Sequence, residues 1–354
     1  MKFKKDEIEK FENTKTNEKF MNQYFHEKYP SFQRRELTSI SLGWIYYGTL
    51  NYLWFKALFA TFFLFCIWLV LKIKFNGRSD ISSSEHREYI VKSNRILGKL
   101  LHLSLGIVFL EKDSRNEEKT KNVYKKYLGE DYDFNKYENN YSTVVSNHVS
   151  YIDIVYFLYK VSPSYTSKES VKKLPLIGMI AEGSNTFYID RTSKENRLEN
   201  IQKIEKRQQD TMEKKCLFPL CLFPEGTTTN GRTIISFKKG AFYALTPVKV
   251  FYFEVDNTMN SFSVATAGMN MFMNILLQAC FFKINLTAHE LPVLAPNNFL
   301  FENYKHLGKD KAEIYSEACR HIMSEISGFP LSNSTWDTKL QYITEITRKK
   351  VKNT

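Results

Sequence analysis

The feature that most constrains the fold of this chain is an apolar run at residues 50–71, interrupted by Asn51 and Lys56 near one end. A helix rises about 1.5 Å per residue, so a helix of this length can cross a hydrocarbon core of about 30 Å. Lys56 lies one turn inside the boundary, where its ammonium can extend to the lipid headgroups. The run therefore predicts a transmembrane or deeply embedded anchor rather than a buried core helix.

Residues 1–36 precede this run and are dense in Lys, Glu, Asn and Gln, without the apolar core of a signal peptide. We expect them to form a solvated tail. Two arginines lie close before the anchor, whereas five basic residues follow it, namely Lys72, Lys74, Arg78, Arg87 and Lys92. The positive-inside rule places the region after the anchor on the cytoplasmic side. A re-entrant hairpin is the alternative, and it would leave both ends of the anchor on one side.

Two further apolar stretches are too short to span a bilayer. Residues 98–110 have a length that is typical of an interfacial or core helix. Residues 269–282 carry Asn270, Asn274 and Gln278 at steps of four, which draws one polar stripe along an apolar helix. Such a helix either lies in the membrane plane, with the stripe facing water or the protein, or packs as an ordinary core helix. Because an anchor precedes it, we favour membrane contact.

Residues 144–155 are the candidate catalytic stretch, and they predict a buried strand, a tight polar break and an apolar helix. His148 ends the strand and Asp153 lies five residues on, so the carboxylate can fold back against the imidazole ring. A carboxylate in that position fixes the tautomer of the ring and lets it accept a proton near neutral pH. Spacing alone also allows a simpler arrangement, in which Ser150 caps the helix, Asp153 is the capping-box acid and His148 is merely exposed.

A second polar turn ends another apolar run. It reads Phe-Pro-Glu-Gly-Thr at 223–227, and Phe-Lys-Lys-Gly-Ala-Phe follows at 237–242. Backbone amides and a carboxylate in such a turn can bind a polar headgroup or its hydroxyls. The alternative is that Pro224 and Gly226 only shape the turn, while Glu225 is solvated.

These two stretches together resemble the glycerophospholipid acyltransferase superfamily. The family's His-x4-Asp box is similar to residues 147–153, and its Phe-Pro-Glu-Gly-Thr box is matched residue for residue at 223–227. Between them, residues 185–191 resemble the family's arginine box, and after them residues 245–248 resemble its proline-valine box. Four boxes in the family's order, over the middle half of the chain, make the resemblance specific.

Short apolar strands that alternate with helices predict an α/β layered domain with a largely buried sheet. The resemblance implies a PlsC-like acyltransferase domain with a mixed sheet flanked by helices, preceded by the N-terminal membrane-anchor helix. We expect strands near 141–147, 164–167, 185–190, 217–223, 248–255 and 286–293, and helices near 152–161 and 191–215. We divide the chain into a polar charged tail (1–45), a transmembrane anchor (46–75), juxtamembrane interfacial helices (76–125), the acyltransferase domain (126–300) and a C-terminal helical extension (301–354).

Acyl transfer from a thioester to an alcohol needs a base, a group that orients the base, donors for the oxyanion and sites for two substrates. We assign His148 as the base and Asp153 as its orienting partner. The acceptor hydroxyl can attack the thioester directly, so this scheme requires no protein nucleophile.

The resemblance implies that the box at 223–227 helps to form the acceptor site. Arg191 follows a strand and belongs to the arginine box, and its guanidinium suits bidentate phosphate binding; an ion pair with Asp190 or Glu195 is the alternative. Lys238 is a candidate for binding phosphate or coenzyme A. The full set of candidate substrate-binding residues is Asn147, Arg191, Phe223, Pro224, Glu225, Gly226, Thr227 and Lys238.

The boxes also indicate a branch of the family. Thr228 follows Glu-Gly-Thr here, where many lysophosphatidate acyltransferases carry an arginine. The residues of the boxes are more similar to those of the lysophosphatidylcholine and lysophosphatidylethanolamine acyltransferase branch than to those of the lysophosphatidate acyltransferases. Members of that branch often continue into calcium-binding EF-hands, but the sequence has no Asp-x-Asp-x-Asp-Gly loop, so we expect no metal ion.

The resulting hypothesis is an enzyme of the endoplasmic reticulum membrane, with its active site facing the cytoplasm. It uses acyl-coenzyme A as co-substrate, without a cofactor, to esterify the free hydroxyl of a lysophospholipid or related glycerolipid. The formal net charge of +12 suits an anionic membrane or phosphate-bearing ligands, and nothing beyond charge supports nucleic-acid binding. The alternatives are a glycerol-3-phosphate acyltransferase, which would turn over that acceptor, and a non-catalytic lipid-binding protein, whose lipid binding would survive His148→Ala.

Overall fold

The computed structural model describes residues 23–33, 42–75, 84–167, 169–173, 177–188, 194–255 and 271–352. Its centre is one seven-stranded sheet in the order β1-β7-β6-β2-β5-β3-β4. Neighbouring strands are parallel except β6 and β7, which are antiparallel. The strands are β1 (Ile107–Asp113), β2 (Thr143–Val145), β3 (Ser164–Ser167), β4 (Phe187–Tyr188), β5 (Leu220–Leu222), β6 (Val248–Val255) and β7 (Ile284–Leu294). The expected α/β domain with a mixed sheet is confirmed.

Ten helices surround or extend this sheet within the described ranges. They are α1 (Trp54–Phe75), α2 (Ser84–Ser104), α3 (Glu118–Leu128), α4 (Tyr151–Lys160), α5 (Ile177–Gly183), α6 (Lys194–Met212), α7 (Met271–Ala279), α8 (Asn298–Asn303), α9 (Lys311–Ser327) and α10 (Trp336–Lys352). A short helix, Leu42–Gly48, and a π-helical turn, Thr49–Leu53, lead directly into α1.

Both faces of the sheet are covered, because successive strand residues enter different cores. Val144 packs with Tyr156 and Phe157 of α4. The next residue, Val145, packs on the other side with Tyr315 of α9. Burial on both faces explains why these strands read as continuous apolar runs in the sequence.

Strand β1 was not expected. The sequence predicted one helix at 98–110, whereas helix α2 ends at Ser104 and β1 begins at Ile107. Gly106 lies between them with φ +72°, a left-handed conformation that turns the chain out of the helix. The stretch placed among juxtamembrane helices therefore contributes an edge strand of the main sheet, paired with β7.

Residues Ile45–Ile73 form a helix that is long and apolar enough to cross a membrane. One side of α1 packs Ala60, Ile67 and Leu71 against Leu101 of α2 and Leu158 of α4. The other side exposes large apolar side chains, and more than half of the surface is exposed for Trp54, Phe55, Leu58 and Phe62. An exposed apolar face of this size needs a nonaqueous partner.

Lys56 does not extend toward headgroups as expected. Its side chain is buried, and Nζ donates a hydrogen bond to the carbonyl of Phe281. The lysine therefore ties α1 to the segment that follows α7.

The segment at 23–33, expected to be part of a solvated tail, packs against the domain. Tyr29 and Phe32 are buried and contact Ile235 and Tyr342. These apolar side chains lie in a polar stretch of the sequence, and their buried partners come from distant parts of the chain, including α10.

Hydrogen bonds fasten the same segment to the turn after β5. Asn230 Nδ2 donates to the carbonyl of Pro30 at 2.6 Å, and Asn230 N donates to the carbonyl of Ser31 at 2.8 Å. Helix α2, which follows α1, packs on the same domain. The chain before α1 and the chain after it therefore meet on one protein body, which a single crossing of a bilayer by α1 would prevent. This arrangement fits the re-entrant alternative.

The polar stripe of α7 faces the protein. Asn274 and Gln278 are buried, and the hydroxyl of Tyr151 donates to Gln278 Oε1 at 3.0 Å. Met273 is half exposed on this helix, and Phe282 is exposed just after it. Asn270, the third residue of the predicted stripe, lies outside the described residues.

Candidate active site

The two motifs meet at the carboxyl edge of the sheet. Strands β2 and β5 are parallel neighbours, and His148 and Glu225 each lie three residues past the end of their strand. The carboxyl ends of parallel strands open onto a common crevice, where ligands of α/β proteins bind. The topology therefore brings together residues that are 77 positions apart in the sequence.

His148 and Asp153 form the predicted dyad. His148 Nδ1 lies 2.8 Å from Asp153 Oδ2, and the carboxylate is completely buried. The same oxygen accepts the backbone N–H groups of Val149 at 2.6 Å and Ser150 at 3.1 Å. Because a carboxylate only accepts, Nδ1 of the ring carries the proton. Nε2 is then the ring nitrogen that can accept a proton from a substrate.

The helix cap and the dyad, which the sequence offered as alternatives, exist together. Ser150 is the N-cap of α4 and its side chain accepts the N–H of Ile152 at 3.2 Å, while Asp153 completes the capping box. The cap fixes the position of the Asp153 backbone, and the bond from Nδ1 fixes the ring. The capped first turn of α4, which is formed by residues adjacent in the sequence, therefore sets the geometry of the dyad.

The imidazole ring is also held from its face. The rings of His148 and Phe223 stack with centroids 3.9 Å apart and an angle of 15° between their planes. Phe223 thus restricts rotation of the ring. It contacts His148 and also lines the cavity described below.

Glu225 is buried and bonded inside the protein. Its Oε2 accepts the N–H of His148 at 2.7 Å, and its Oε1 accepts the N–H of Ile235 at 3.2 Å. Burial raises the pKa of this carboxyl to about 8, although the two backbone hydrogen bonds oppose the shift. Both oxygens accept backbone N–H groups on two sides of the site, so Glu225 holds the loop that carries His148.

The turn after Glu225 is tied to the same histidine. Thr229 N donates to the carbonyl of His148 at 2.8 Å. Gly226 has φ +66°, and a Cβ there would lie 2.8 Å from Cε and Nζ of Lys238. The left-handed backbone favours glycine here, and an added Cβ would also make the flexible end of the Lys238 side chain move.

Lys339 was not predicted as part of this region. It lies in α10, and its Nζ donates to Thr227 Oγ1 at 2.9 Å, to the carbonyl of Thr228 at 2.8 Å and to Thr228 Oγ1 at 2.7 Å. The only signal in the sequence was a lysine on a helix with apolar neighbours, which does not identify a distant turn.

Two other residues were predicted to bind substrate. Asn147 is buried, and its amide exchanges two hydrogen bonds with the backbone of Phe253: Nδ2 to the carbonyl at 3.0 Å and N–H to Oδ1 at 2.8 Å. It joins β2 to β6 and does not line the cavity, and its contact with a substrate stays a prediction. Arg191 lies outside the described residues.

A cavity of about 1310 Å³ lies beside His148. Phe223, Pro224, Gly226 and Lys238 also line it, whereas Glu225 and Thr227 are buried and do not line it. Pockets for small ligands are typically about 300–1,000 Å³, so this one has room for a larger molecule. Within the described ranges, no group of three His, Cys, Asp or Glu side chains could hold a metal ion.

The far part of the cavity is apolar and reaches the candidate anchor. It is lined by Ala60 and Leu64 of α1 and by Leu101 of α2, whereas Lys238, Lys239 and Glu313 form a charged part elsewhere. The cavity therefore combines apolar side chains, charged side chains and His148 in one wall, a combination that suits an amphipathic ligand.

Comparison with known proteins shows which proteins this chain is similar to. Residues 132–252 match the Acyltransferase family model. The lysophospholipid acyltransferases LPEAT1 and LPEAT2 of Arabidopsis thaliana are 30% and 31% identical, over 70% and 58% of this chain and 61% and 38% of their own lengths. The crystal structure of the 1-acyl-sn-glycerophosphate acyltransferase PlsC from Thermotoga maritima is similar with a TM-score of 0.49 and 17% identity, covering 79% of this chain and 96% of that one.

Residues 132–252 therefore match an Acyltransferase domain, and the chain is similar to members of the glycerophospholipid acyltransferase superfamily. It spans roughly two fifths to three fifths of the length of these two curated relatives. The match to the family model contains His148, Asp153 and the box at 223–227, whereas Lys339 lies outside it.

Proposed function

We propose that this protein transfers an acyl group from acyl-coenzyme A to the free hydroxyl of a lysophospholipid. The observation that carries the proposal is the buried carboxylate of Asp153 at 2.8 Å from Nδ1 of His148, with the histidine on the wall of a large cavity. The relatives support the acceptor class, since two are lysophospholipid acyltransferases by name.

In the proposed reaction His148 Nε2 takes the proton of the acceptor hydroxyl. The hydroxyl oxygen attacks the thioester carbonyl carbon, so a C–O bond forms and the carbonyl oxygen becomes an oxyanion. Collapse of this intermediate breaks the C–S bond and releases the coenzyme A thiolate, which recovers the proton from the imidazolium. Asp153 stabilises the imidazolium during the two steps, and the enzyme returns to its initial protonation state.

The apolar part of the cavity is the proposed site of the acyl chain. Each buried methylene contributes about 0.8 kcal/mol, so a long chain binds strongly along Leu64, Leu101 and Leu158. Lys238 and Lys239 lie on the same cavity and supply positive charge for phosphate groups of the lysophospholipid or of coenzyme A.

We infer that α1 lies in one leaflet of the membrane rather than crossing it. Support comes from the packing of residues 23–33 and of α2 on the same domain, together with the exposed apolar side of α1. A substrate lysophospholipid could then enter the cavity from that leaflet. The endoplasmic reticulum, with the active site on the cytoplasmic side, is the proposed location.

The test is formation of labelled phospholipid from acyl-coenzyme A by detergent-solubilised protein. Lysophosphatidylethanolamine, lysophosphatidylcholine, lysophosphatidate and glycerol 3-phosphate are compared as acceptors. His148→Ala is expected to lower turnover by at least about a hundredfold, because general-base catalysis contributes about 10²–10⁴-fold. His306→Ala is the matched control, since His306 is exposed and outside the cavity lining.

Three outcomes would contradict the proposal. Wild-type protein that is folded and binds lipid but acylates none of the four acceptors would favour the non-catalytic alternative. Equal turnover by wild type and His148→Ala would exclude this histidine as the base. Preference for glycerol 3-phosphate over the three lysophospholipids would assign the other enzyme branch.

A further inference from the structure

The C-terminal helix reaches the active-site turn through one lysine. Helix α10 lies beyond the residues that match the family model, yet Lys339 in its first turns donates to both threonines of the turn that follows Glu225. The contact joins residues 112 positions apart in the sequence.

Lys339 is held as a fully bonded buried cation. Only 5% of its surface is exposed, and its three donors have three acceptors, namely Thr227 Oγ1, the Thr228 carbonyl and Thr228 Oγ1. Its Nζ also lies 6.0 Å from the ring centroid of Phe32 in the N-terminal segment. Burial lowers the pKa of Lys339 to about 8, and the charge of Glu225 opposes the shift. Burying a cation is unfavourable unless it is fully bonded, so this geometry strongly restrains the turn.

The restrained turn holds His148 at two points. On one side of the lysine contact, Glu225 accepts the N–H of His148 at 2.7 Å. On the other side, Thr229 donates to the carbonyl of the same residue at 2.8 Å. The residues that bind the ammonium, Thr227 and Thr228, lie between these two attachments. Movement of the turn therefore moves the backbone of the catalytic histidine.

We propose that Lys339 is a positioning residue of the active site, whose ammonium fixes the 227–228 turn and through it the backbone of His148. The inference rests on the proposed acyltransferase function. Lys339 does not line the cavity, so it acts through the turn and not on the substrate.

The test compares Lys339→Met with Lys28→Met. Methionine keeps an unbranched side chain but removes all three donors. Lys28 forms a 2.6 Å ion pair with Glu345, which lies on α10 like Lys339. The Lys28 ammonium donates to Tyr24 and Glu345 and not to the turn, so its loss controls for weaker docking of α10. We expect Lys339→Met to lower kcat between about tenfold and a hundredfold, since small misplacements of catalytic groups have effects of this size. The KM for acyl-coenzyme A and the Tm should stay close to those of Lys28→Met.

Two further variants keep the test decisive if methionine prevents folding. Thr227→Val removes one acceptor at constant size and should lower kcat by a smaller factor. Lys339→Ala leaves a space that propylammonium fills, and this ion should restore kcat, whereas propan-1-ol should not. Restoration by the cation alone separates the bonded charge from simple packing.

Each result has a definite meaning. The inference is overturned if Lys339→Met retains kcat within twofold of wild type, if it loses no more activity than Lys28→Met, or if propylammonium and propan-1-ol act alike on Lys339→Ala. A wild-type protein without acyl transfer in the same assay would instead contradict the proposed function. Activity in wild type and Lys28→Met shows that the assay and the fold are intact.

Discussion

One carboxylate oxygen of Asp153 accepts three hydrogen bonds, from His148 Nδ1 and from two backbone N–H groups. Its other oxygen, Oδ1, is buried without a hydrogen-bond partner among the described residues. The charge is therefore concentrated on the oxygen that faces the imidazole. This arrangement favours the tautomer with a basic Nε2 and would stabilise the imidazolium of the proposed reaction.

At this scale we predict that Asp153→Asn lowers kcat by at least about a hundredfold. The amide can donate to Nδ1, which would move the ring proton to Nε2 and remove the base. Asn297→Ala is the control, because it removes the N-cap of α8 and does not touch the dyad. It should lower the free energy of unfolding by about 1 kcal/mol and change kcat little. Initial rates and Tm measured on both variants check the prediction, and equal losses of kcat would contradict it.

At the scale of single elements, the turn after β5 organises the site. It contains Gly226 with a left-handed backbone, and it is closed by bonds to His148 from Glu225 and Thr229. The side chain of Lys238 lies directly over Gly226. The box at 223–227 thus acts mainly through its backbone: it places the Lys238 cation beside the cavity and holds His148.

We predict that Gly226→Ala lowers turnover by at least about tenfold. The left-handed conformation costs an L-residue about 1–2 kcal/mol, and the added Cβ would displace Lys238. Gly240→Ala is the control, because a Cβ at Gly240 meets nothing within 4 Å. Turnover and Tm of the two variants decide the matter, and a Gly226→Ala enzyme as active as Gly240→Ala would show that the turn tolerates the change.

At the scale of the whole molecule, both ends of the described chain converge on one region. The segment at 23–33 and helix α10 share a core through Tyr29 and Tyr342, and both contact the 227–235 region. The apolar side of α1 lies exposed elsewhere. The orientation inferred from flanking charge, with the two ends of the anchor on opposite sides, conflicts with this packing.

We predict that both termini are on the same side of the membrane. Epitope tags at Met1 and Thr354 in sealed microsomes should be digested together by protease added outside, because each terminal region packs on the same domain. A lumenal marker protein that stays protected until detergent is added is the control. Protection of one tag alone would require a single crossing and would contradict a one-leaflet position of α1.

Much of the site could be predicted because its central contact is local. His148 and Asp153 are five residues apart, and a strand end followed by a capped helix is enough to bring them together. The box at 223–227 was also readable, since glycine and proline limit the backbone at fixed positions. The six expected strands and two expected helices followed from apolar periodicity, with bounds that differ by a few residues where the structure describes them, whereas β1, α3 and α5 were not expected.

The amino-acid sequence by itself determined the α/β class, the dyad motif and an apolar helix of membrane length. Only the tertiary structure decided which distant residues are in contact. Glu225 and His148 are 77 residues apart in the sequence, Lys339 and Thr227 are 112 apart, and Lys56 and Phe281 are 225 apart. Such pairs depend on the strand order and on helix packing, which no local pattern encodes. The sequence does not distinguish a buried lysine from a solvated one, so the role of Lys339 is known only once the fold shows its hydrogen-bond acceptors.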